Sequence, residues 1–318
     1  MFIRGADRSG GFLEFKPEEG DDVAELTEQL ASITNQETFG GNHGWFELAT
    51  FLELDNGFLV EEVAEPLEAN APLPTANDPQ TTGAPLDFSS FSVVDRFGTS
   101  KGTRSINDYD AVVFGSNNAQ GYSSGQIDLV ENFIRGGGGA LFISDANFGS
   151  SFTDAPASDQ QFLDRFGIVV NEDRGTFSRD RADGEFLVPG SPLFDDVDSF
   201  DGEGVSPFTI VQSDLEAGVD ATILAGVPSN QSIRPLGGGS RPSTLEDASL
   251  FSATVDDGRL VGHFDRNTFF NINGAGTNIN RLDNEQLALN IFSFLVPEPS
   301  AIAMLGLGSL VFLRRRNA

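Results

Sequence analysis

Polar side chains recur where segments with the pattern of buried strands come to an end. Short apolar runs such as 109–115 and 140–144 are typical of strands buried on both faces of a sheet. In open α/β sheets, ligands bind beyond the carboxyl ends of the strands, so the polar residues that follow should converge there. Such a set could hold a sugar, a small anion or a cation. The candidate ligand-binding residues are Asp7, Arg8, His43, Asn117, Asp145, Asn147, Asp265 and Arg266, with Asn118 and Asn267 beside them.

Two other roles are open for these residues. Asp and Asn satisfy backbone groups in turns, so any one of them could simply stabilise its loop. Paired carboxylates such as Asp145 and Asp265 could also serve as general acid and base if burial separated their pKa values. That chemistry would make a hydrolase or a carbohydrate-processing enzyme, with or without a metal. It requires the two acids to lie within ~5–9.5 Å of each other, which also tests any pairing with Asp7.

Other catalytic groups are scarce. Only His43 and His263 titrate near neutral pH. His263 lies inside a predicted strand, which favours a packed role, whereas His43 precedes a predicted helix and could either contact a ligand or cap that helix. The absence of cysteine excludes a thiolate nucleophile, a thiolate metal site and a disulfide framework. Neither Gly-x-Ser-x-Gly nor a P-loop occurs, so no catalytic residue is assigned.

The charge balance limits the partners. The chain has 48 acidic and 19 basic residues, a net charge of −29, which repels phosphate backbones and excludes nucleic acid. Solubility in a salty exterior explains such a surface, and scattered calcium binding is the alternative. The acidic stretch 195–203 is not a calcium loop, because Phe200 takes the fifth position counted from Asp196. We therefore predict no metal site and no cofactor, with calcium as the one alternative.

Alternating strands and helices must position these residues. Ser123 with Gln126 predicts a capping box that opens a helix after strand 109–115, and glycines 136–139 end it before strand 140–144. Ser158 with Gln161 predicts a second helix that Gly167 ends. This order predicts a doubly wound, mostly parallel α/β sheet of the flavodoxin-like kind. The other predicted elements are a helix from Trp45 to Gly57, strands at 58–63, 168–170, 208–211, 221–225, 250–254 and 259–264, a Pro-rich connector at 66–85, a loop at 171–205, and a last helix opened by Asp283.

Three stretches resemble a known fold. Residues 109–116, 127–144 and 258–295, the last ending in DNEQLALNIFSFL, are similar to the class I glutamine amidotransferase-like fold. The resemblance covers most of residues 1–295 and implies a nucleophilic Cys on the turn after strand 140–144. That turn reads Asp145-Ala146-Asn147-Phe148-Gly149 here, so the glutaminase reaction is excluded because no thiolate can form.

The C-terminus has the pattern of a sorting signal. An apolar run of thirteen residues, 301–313, spans about 20 Å as a helix, less than the ~30 Å of a bilayer core. A terminal basic cluster should stay in the cytoplasm, which places the residues before the apolar run on the other side of the membrane. The tail resembles the PEP-CTERM sorting signal, which implies an exosortase-type membrane protease as partner and cleavage near the Pro-Glu-Pro. A C-terminal core helix is the alternative. The signal residues are Pro297, Glu298, Pro299, Arg314, Arg315 and Arg316.

These observations predict two regions, an amidotransferase-like domain over 1–295 and a sorting and transmembrane tail over 296–318. Because residues 1–5 do not read as an export leader, we expect the leader upstream, with Phe2-Ile3 closing a truncated first strand. The predicted protein is exported and envelope-associated or secreted, and its module is non-catalytic, binding or structural. A carboxylate- or metal-dependent hydrolase of extracellular carbohydrate is the alternative, and a surface-assembly component is a third reading. Extracellular polysaccharide is the expected partner outside the membrane.

Overall fold

The computed structural model describes residues 2–3, 45–63, 86–115, 121–144, 155–172, 175–271 and 277–296. These residues form one large mixed sheet of thirteen strands, a separate two-stranded sheet and a few helices. The strands are β1 Phe2–Ile3, β2 Glu62–Val63, β3 Phe91–Val94, β4 Ser100–Arg104, β5 Ala111–Gly115, β6 Gly139–Ile143, β7 Val169–Glu172, β8 Thr176–Asp180, β9 Ser199–Glu203, β10 Phe208–Thr209, β11 Val219–Gly226, β12 Ser232–Pro235, β13 Arg241–Pro242, β14 Asp247–Val255 and β15 Gly258–His263. The helices are α1 Phe46–Thr50, α2 Ser124–Arg135, α3 Ala155–Leu163 and α4 Asn284–Leu295, with a π-helical turn at Phe51–Asp55 and 3-10 turns at Ile106–Asp108, Asp164–Phe166, Pro192–Phe194 and Asn267–Phe269.

The centre of the large sheet is parallel and its two flanks are antiparallel. Strands β2, β1, β5, β6 and β15 run side by side in the same direction, and Ala111 of β5 pairs with Gly139 of β6. Beyond them, β3 and β4 extend one flank, and β14, β11, β10, β7, β12 and β13 extend the other. The prediction of a mostly parallel sheet is therefore wrong outside the centre. Strands β14 and β15 meet in a two-residue turn at Asp256–Asp257, and so tight a connection reverses the chain.

Helices cover both faces of the parallel centre. Successive strand residues point to opposite sides, and all residues of β5 and β6 are buried, so both faces are apolar and need a covering layer. Val113 and Leu141 face α4, whereas Phe114 and Phe142 face α2 and α3. On this second face the rings of Phe114 and Phe142 stack with centroids 4.5 Å apart, and Phe162 of α3 packs 4.8 Å from Phe114. The two apolar layers hold the strand ends in fixed positions.

The start of α2 is confirmed at Ser123, whose hydroxyl accepts from the Gln126 backbone N–H. The reciprocal half of the predicted capping box is wrong. The Gln126 side chain instead accepts from the Phe88 N–H at 2.7 Å and donates to Asp87 at 3.0 Å. Gln126 therefore ties the loop before β3 to the helix, a long-range contact that spacing alone does not show.

Of two further helices, one starts at a different residue from the prediction and the other starts as predicted but without the predicted cap. Helix α3 begins at Ala155, so Ser158 lies inside the helix and is buried rather than capping it. Asp283 precedes α4 as predicted, but its carboxylate accepts from the backbone N–H groups of Asp198 and Ser199 instead of capping the helix. Gly167 ends its helical segment as predicted, with a φ of +73°.

The predicted loop over 171–205 is partly wrong. Strand β7 extends into it, and β8 and β9 pair within it as the two-stranded sheet. Arg181 supports the connection between them, because its guanidinium donates to the backbone carbonyls of Pro189, Phe194 and Val197. The outer strands β3, β4, β12 and β13, of which β4 and β13 form the edges, also lack a clear sequence pattern and were not predicted. The Pro-rich connector 66–85 lies outside the described residues.

Candidate functional site

The strands β5, β6 and β15 end side by side at one edge of the sheet, here called the carboxyl edge. Gly115 pairs with Ile143, which in turn pairs with His263. The Trp45 ring covers Gly115 so closely that a Cβ there would lie 1.9 Å from it. The indole N–H of Trp45 donates to the Arg266 carbonyl at 3.4 Å. Position 115 must therefore be glycine for Trp45 to close this part of the edge.

Asp265, which follows β15, is fully buried and stabilises its loop. One carboxylate oxygen accepts from the Glu203 N–H at 2.5 Å and the other from the Asn267 N–H at 3.0 Å. Asn267 continues the link by donating its amide to the Glu203 carbonyl at 3.0 Å. Arg266 is half-buried, with its guanidinium 5.9 Å from the Phe270 ring centre. This geometry favours loop stabilisation over acid–base chemistry for Asp265.

His263 is fully buried among aromatic rings, as its place in a predicted strand indicated. Its ring lies 5.0 Å from that of Phe264 and 4.9 Å from that of Phe269, centre to centre. Burial lowers the pKa of His263 to about 3, so the imidazole is neutral. Nδ1 lies 2.9 Å from the Asp265 carbonyl, and Nε2 has no hydrogen-bond partner in the described part of the chain.

A second group of buried polar side chains lies on the face covered by α2 and α3. Asp159 of α3 is fully buried, and neither of its carboxylate oxygens has a hydrogen-bond partner within the described ranges. Burial raises its pKa well above the usual range, since no residue that the structure describes donates to an ionised carboxylate there. The hydroxyls of Ser144 and Ser158 are likewise buried and unpartnered among those residues. We call Ser144, Ser158 and Asp159 the Asp159 corner.

Neighbouring contacts place this corner at the carboxyl edge. Tyr122, just before α2, donates its N–H to Gln161 of α3, whereas Arg165 reaches Asp128 farther along α2. Helix α3 therefore runs away from the carboxyl edge, as α2 does, and Asp159 lies on the edge side of Phe162. Ser144 follows Phe142 by two residues and so shares its face, and the Phe142 and Phe162 rings are 6.2 Å apart.

Sequence reasoning missed Asp159, although a local signal was present. Asp159 lies three and seven residues before Phe162 and Phe166, on the apolar stripe that α3 buries. A carboxyl on such a stripe is unusual because a buried acid is nearly always paired. The misplaced helix start at Ser158 hid this spacing, since it put Asp159 in the first turn.

Most of the predicted ligand-binding residues fall in segments that the structure does not describe. Asp7, Arg8, His43, Asn117, Asp145 and Asn147 lie outside the described residues, as do the sorting-signal residues from Pro297 onward. Of the predicted ligand-binding residues, only Asp265 and Arg266 are described. Within the ranges that the structure describes, no three or more His, Asp or Glu side chains are grouped so that they could hold a metal ion.

A contrasting acid lies on the antiparallel flank. Asp247 is fully buried at the start of β14, and its carboxylate accepts from the Arg241 guanidinium twice, both at 2.7 Å. Thr209 donates at 2.6 Å and the Thr244 N–H at 2.7 Å. Burial alone would raise the pKa of Asp247, but these donors outweigh it and lower that pKa. We call Thr209, Arg241, Thr244 and Asp247 the Asp247 clasp.

Comparison with known proteins identifies the tail. Residues 295–317 match the family model of the PEP-CTERM protein-sorting motif. The chain carries a PEP-CTERM sorting motif. The motif marks an exported protein that an exosortase, a membrane protein, sorts to the cell envelope. In the described part of the chain no helix combines the length and the apolar character needed to cross a bilayer, and the predicted segment 301–313 lies outside that part.

Several solved structures resemble the α/β domain at low sequence identity. The mmIFT52 N-terminal domain shares 10% identity, with 60% of this chain and 79% of that one covered at a TM-score of 0.42. A cytoplasmic protein from Salmonella typhimurium shares 13% identity, covering 60% and 73% at 0.36. A ThuA-like protein from Bacteroides uniformis shares 12%, covering 61% and 72% at 0.34. A search of the curated proteins returns no significant match.

Proposed function

We propose that the α/β domain is a non-catalytic binding module on a doubly wound, amidotransferase-like framework, and that its PEP-CTERM tail delivers it to the cell envelope. The missing cysteine supports the non-catalytic part, because the nucleophile of that fold is a thiolate. The helices on both faces of the parallel centre support the framework. The binding site lies at the carboxyl edge.

One observation carries the binding function, namely the Asp159 corner. A buried carboxyl with no donor among the described residues is costly to ionise, which favours the neutral acid, a group that can donate a hydrogen bond. Ser144 and Ser158 add two hydroxyls that are also buried and unpartnered in the described part of the chain, so the three side chains supply donors and acceptors at this end of the sheet. Because Asp159 is fully buried, binding requires the corner to open. A neutral, hydroxyl-rich ligand fits the chemistry that this exposes, and a sugar unit of extracellular polysaccharide is the ligand that we propose.

The hydrolase alternative is less well supported. Both oxygens of Asp265 accept backbone N–H groups, and His263 is enclosed by aromatic rings. Neither group is positioned to exchange a proton with a bound substrate.

Titration calorimetry on the full chain tests the binding function. The probes are neutral oligosaccharides released from the envelope polysaccharide of the source cells and, separately, calcium chloride. We expect the oligosaccharides to bind the natural protein and Asp159→Leu to weaken that binding at least tenfold. Asp183→Leu is the matched control because Asp183 is exposed on a turn far along the chain from the corner. Equal binding by Asp159→Leu, or binding of calcium alone, would contradict the proposal.

We further propose that residues 301–313 hold the chain in the membrane until cleavage near Pro297–Pro299 releases the domain. The apolar run and its basic end support this topology. Mass spectrometry of the protein recovered from its source cells would show a C-terminus near the Pro-Glu-Pro. Recovery of only the intact C-terminus would contradict cleavage.

A further inference from the structure

The last residues that the structure describes are built into the domain at the edge opposite to the Asp159 corner. Leu295, at the end of α4, is 1% exposed and lies over Gly139, where a Cβ would be 2.6 Å from the Leu295 carbonyl oxygen. Arg259 donates to the carbonyl of Phe294. Because Gly139 and Arg259 lie at the starts of β6 and β15, α4 ends at the amino edge of the parallel strands.

Little chain separates this edge from the membrane segment. The sorting motif begins at Leu295, which is itself a core residue. Four residues, 297–300, join Val296 to the apolar run, and four extended residues span at most ~14 Å. A membrane protein that reads the tail must therefore come within this distance of the amino edge.

The surface at that point is concave. A cleft of about 330 Å³, which we call the exit cleft, is lined by Tyr109, Asp110, Asn132, Gly137 and Val296 among others. A smaller apolar cleft of about 120 Å³ adjoins it and shares Tyr109, Asp110 and Val296. Leu59 lines this second cleft and is 76% exposed. The two clefts together offer an apolar contact beside acidic and amide groups.

We propose that the exit cleft is a docking surface for the membrane protease that processes the tail. The proposal rests on the cleavage proposed above. The exposed carboxylates of Asp108 and Asp110 favour a partner with basic groups and repel anionic lipid headgroups, so a protein surface fits better than the bilayer. Docking here points the carboxyl edge away from the membrane, where it stays open to ligand while the tail is read.

Arginine substitutions at the exit cleft test the proposal in the source cells with their own protease. Asp110→Arg and Asn132→Arg change exposed side chains, and Asp183→Arg is the matched control on another surface. Pulse-labelled full-length chains are followed by mass spectrometry for loss of the tail. We expect each cleft variant to be processed at least tenfold more slowly and the control within about twofold of the natural chain. Equal thermal melting of all four proteins shows that folding is intact.

The outcomes separate the two proposals. Natural chain that is never cut would overturn the cleavage and the docking with it. Natural chain and cleft variants cut at equal rates would overturn docking alone and leave cleavage standing. Faster processing of the arginine variants, with tighter binding to anionic vesicles, would show that the cleft meets lipid rather than the protease.

Discussion

Asp159 and Asp247 are both fully buried carboxyls, yet their surroundings are opposite. Asp247 accepts from an arginine, a threonine hydroxyl and a backbone N–H, and its pKa is lowered. Asp159 has no hydrogen-bond partner in the described part of the chain, and its pKa is raised. Both side chains are closed to solvent. At Asp247 the donors outweigh the desolvation, whereas at Asp159 desolvation acts without a donor from the described residues.

The difference separates a structural acid from a candidate functional one. In the Asp247 clasp the carboxylate accepts from Thr209 of β10 and Arg241 of β13, so it joins these two strands to β14. The Asp159 corner has hydrogen-bonding capacity that no described residue uses, and burying such a group unpaired costs stability. Four measurements test this contrast.

The largest effect is expected from Asp247→Ala, which leaves Arg241 and Thr209 without their shared acceptor. We expect the free energy of unfolding at pH 7 to fall by about 3–5 kcal/mol in urea denaturation. Because the pKa of Asp247 is lowered in the fold, its contribution is present above pH 3.8 and lost as pH falls through the folded value. Asp183→Ala should change stability by less than about 0.5 kcal/mol. A loss under ~1 kcal/mol for Asp247→Ala would show that the clasp is not structural.

His263→Phe comes next and tests a third buried titratable group. The folded pKa of His263 is about 3 against an ordinary 6.5, so its stabilising effect is present above pH 6.5 and is lost as pH falls towards 3. Between pH 7 and pH 4 the natural protein should lose about 3 kcal/mol more than the variant, at roughly 1.4 kcal/mol per pH unit. Parallel pH dependence in the two proteins would mean that His263 is accessible to protons in the folded state.

Asp159→Asn should have the opposite sign to the change at the clasp. A raised folded pKa means that Asp159 destabilises the fold increasingly as pH rises above 3.8 through the folded value. Without ligand, we expect the variant to be more stable by about 1–2 kcal/mol at pH 7 and equal to the natural protein near pH 3.5. Destabilisation at pH 7 would indicate that the carboxylate has a charged partner after all.

The smallest effect compares two hydroxyls. Thr209→Val removes a hydroxyl that donates to Asp247 and should cost about 1 kcal/mol. Ser144→Ala removes one with no partner within the described ranges and should stay within about 0.5 kcal/mol of the natural protein. Thermal melting of both variants at pH 7 measures the difference. A larger loss for Ser144→Ala would place a bonded group at the Asp159 corner.

The parallel centre could be read from the sequence because its signals are local. The apolar runs of β5 and β6, the Ser123 cap and the glycine after α2 lie within a few residues of the structure they specify. On the antiparallel flank, β7, β10, β11 and β14 were predicted as strands, but their direction was not, since β14 takes its direction from a two-residue turn. Strands β12 and β13 were missed because they are short and have no apolar pattern. Gln126 bonds to a loop 38 residues away, which spacing cannot reveal.

The acidic surface, the lack of a thiol nucleophile and the sorting tail can be read directly from the chain, because they follow from which residues are present and in what order. Which of the buried carboxyls find hydrogen-bond donors depends instead on how the chain folds. The donors come from distant segments of the chain, as Thr209 does for Asp247. Whether a buried carboxyl such as Asp159 finds a donor therefore depends on the side chains packed around it and not on the residues next to it in sequence.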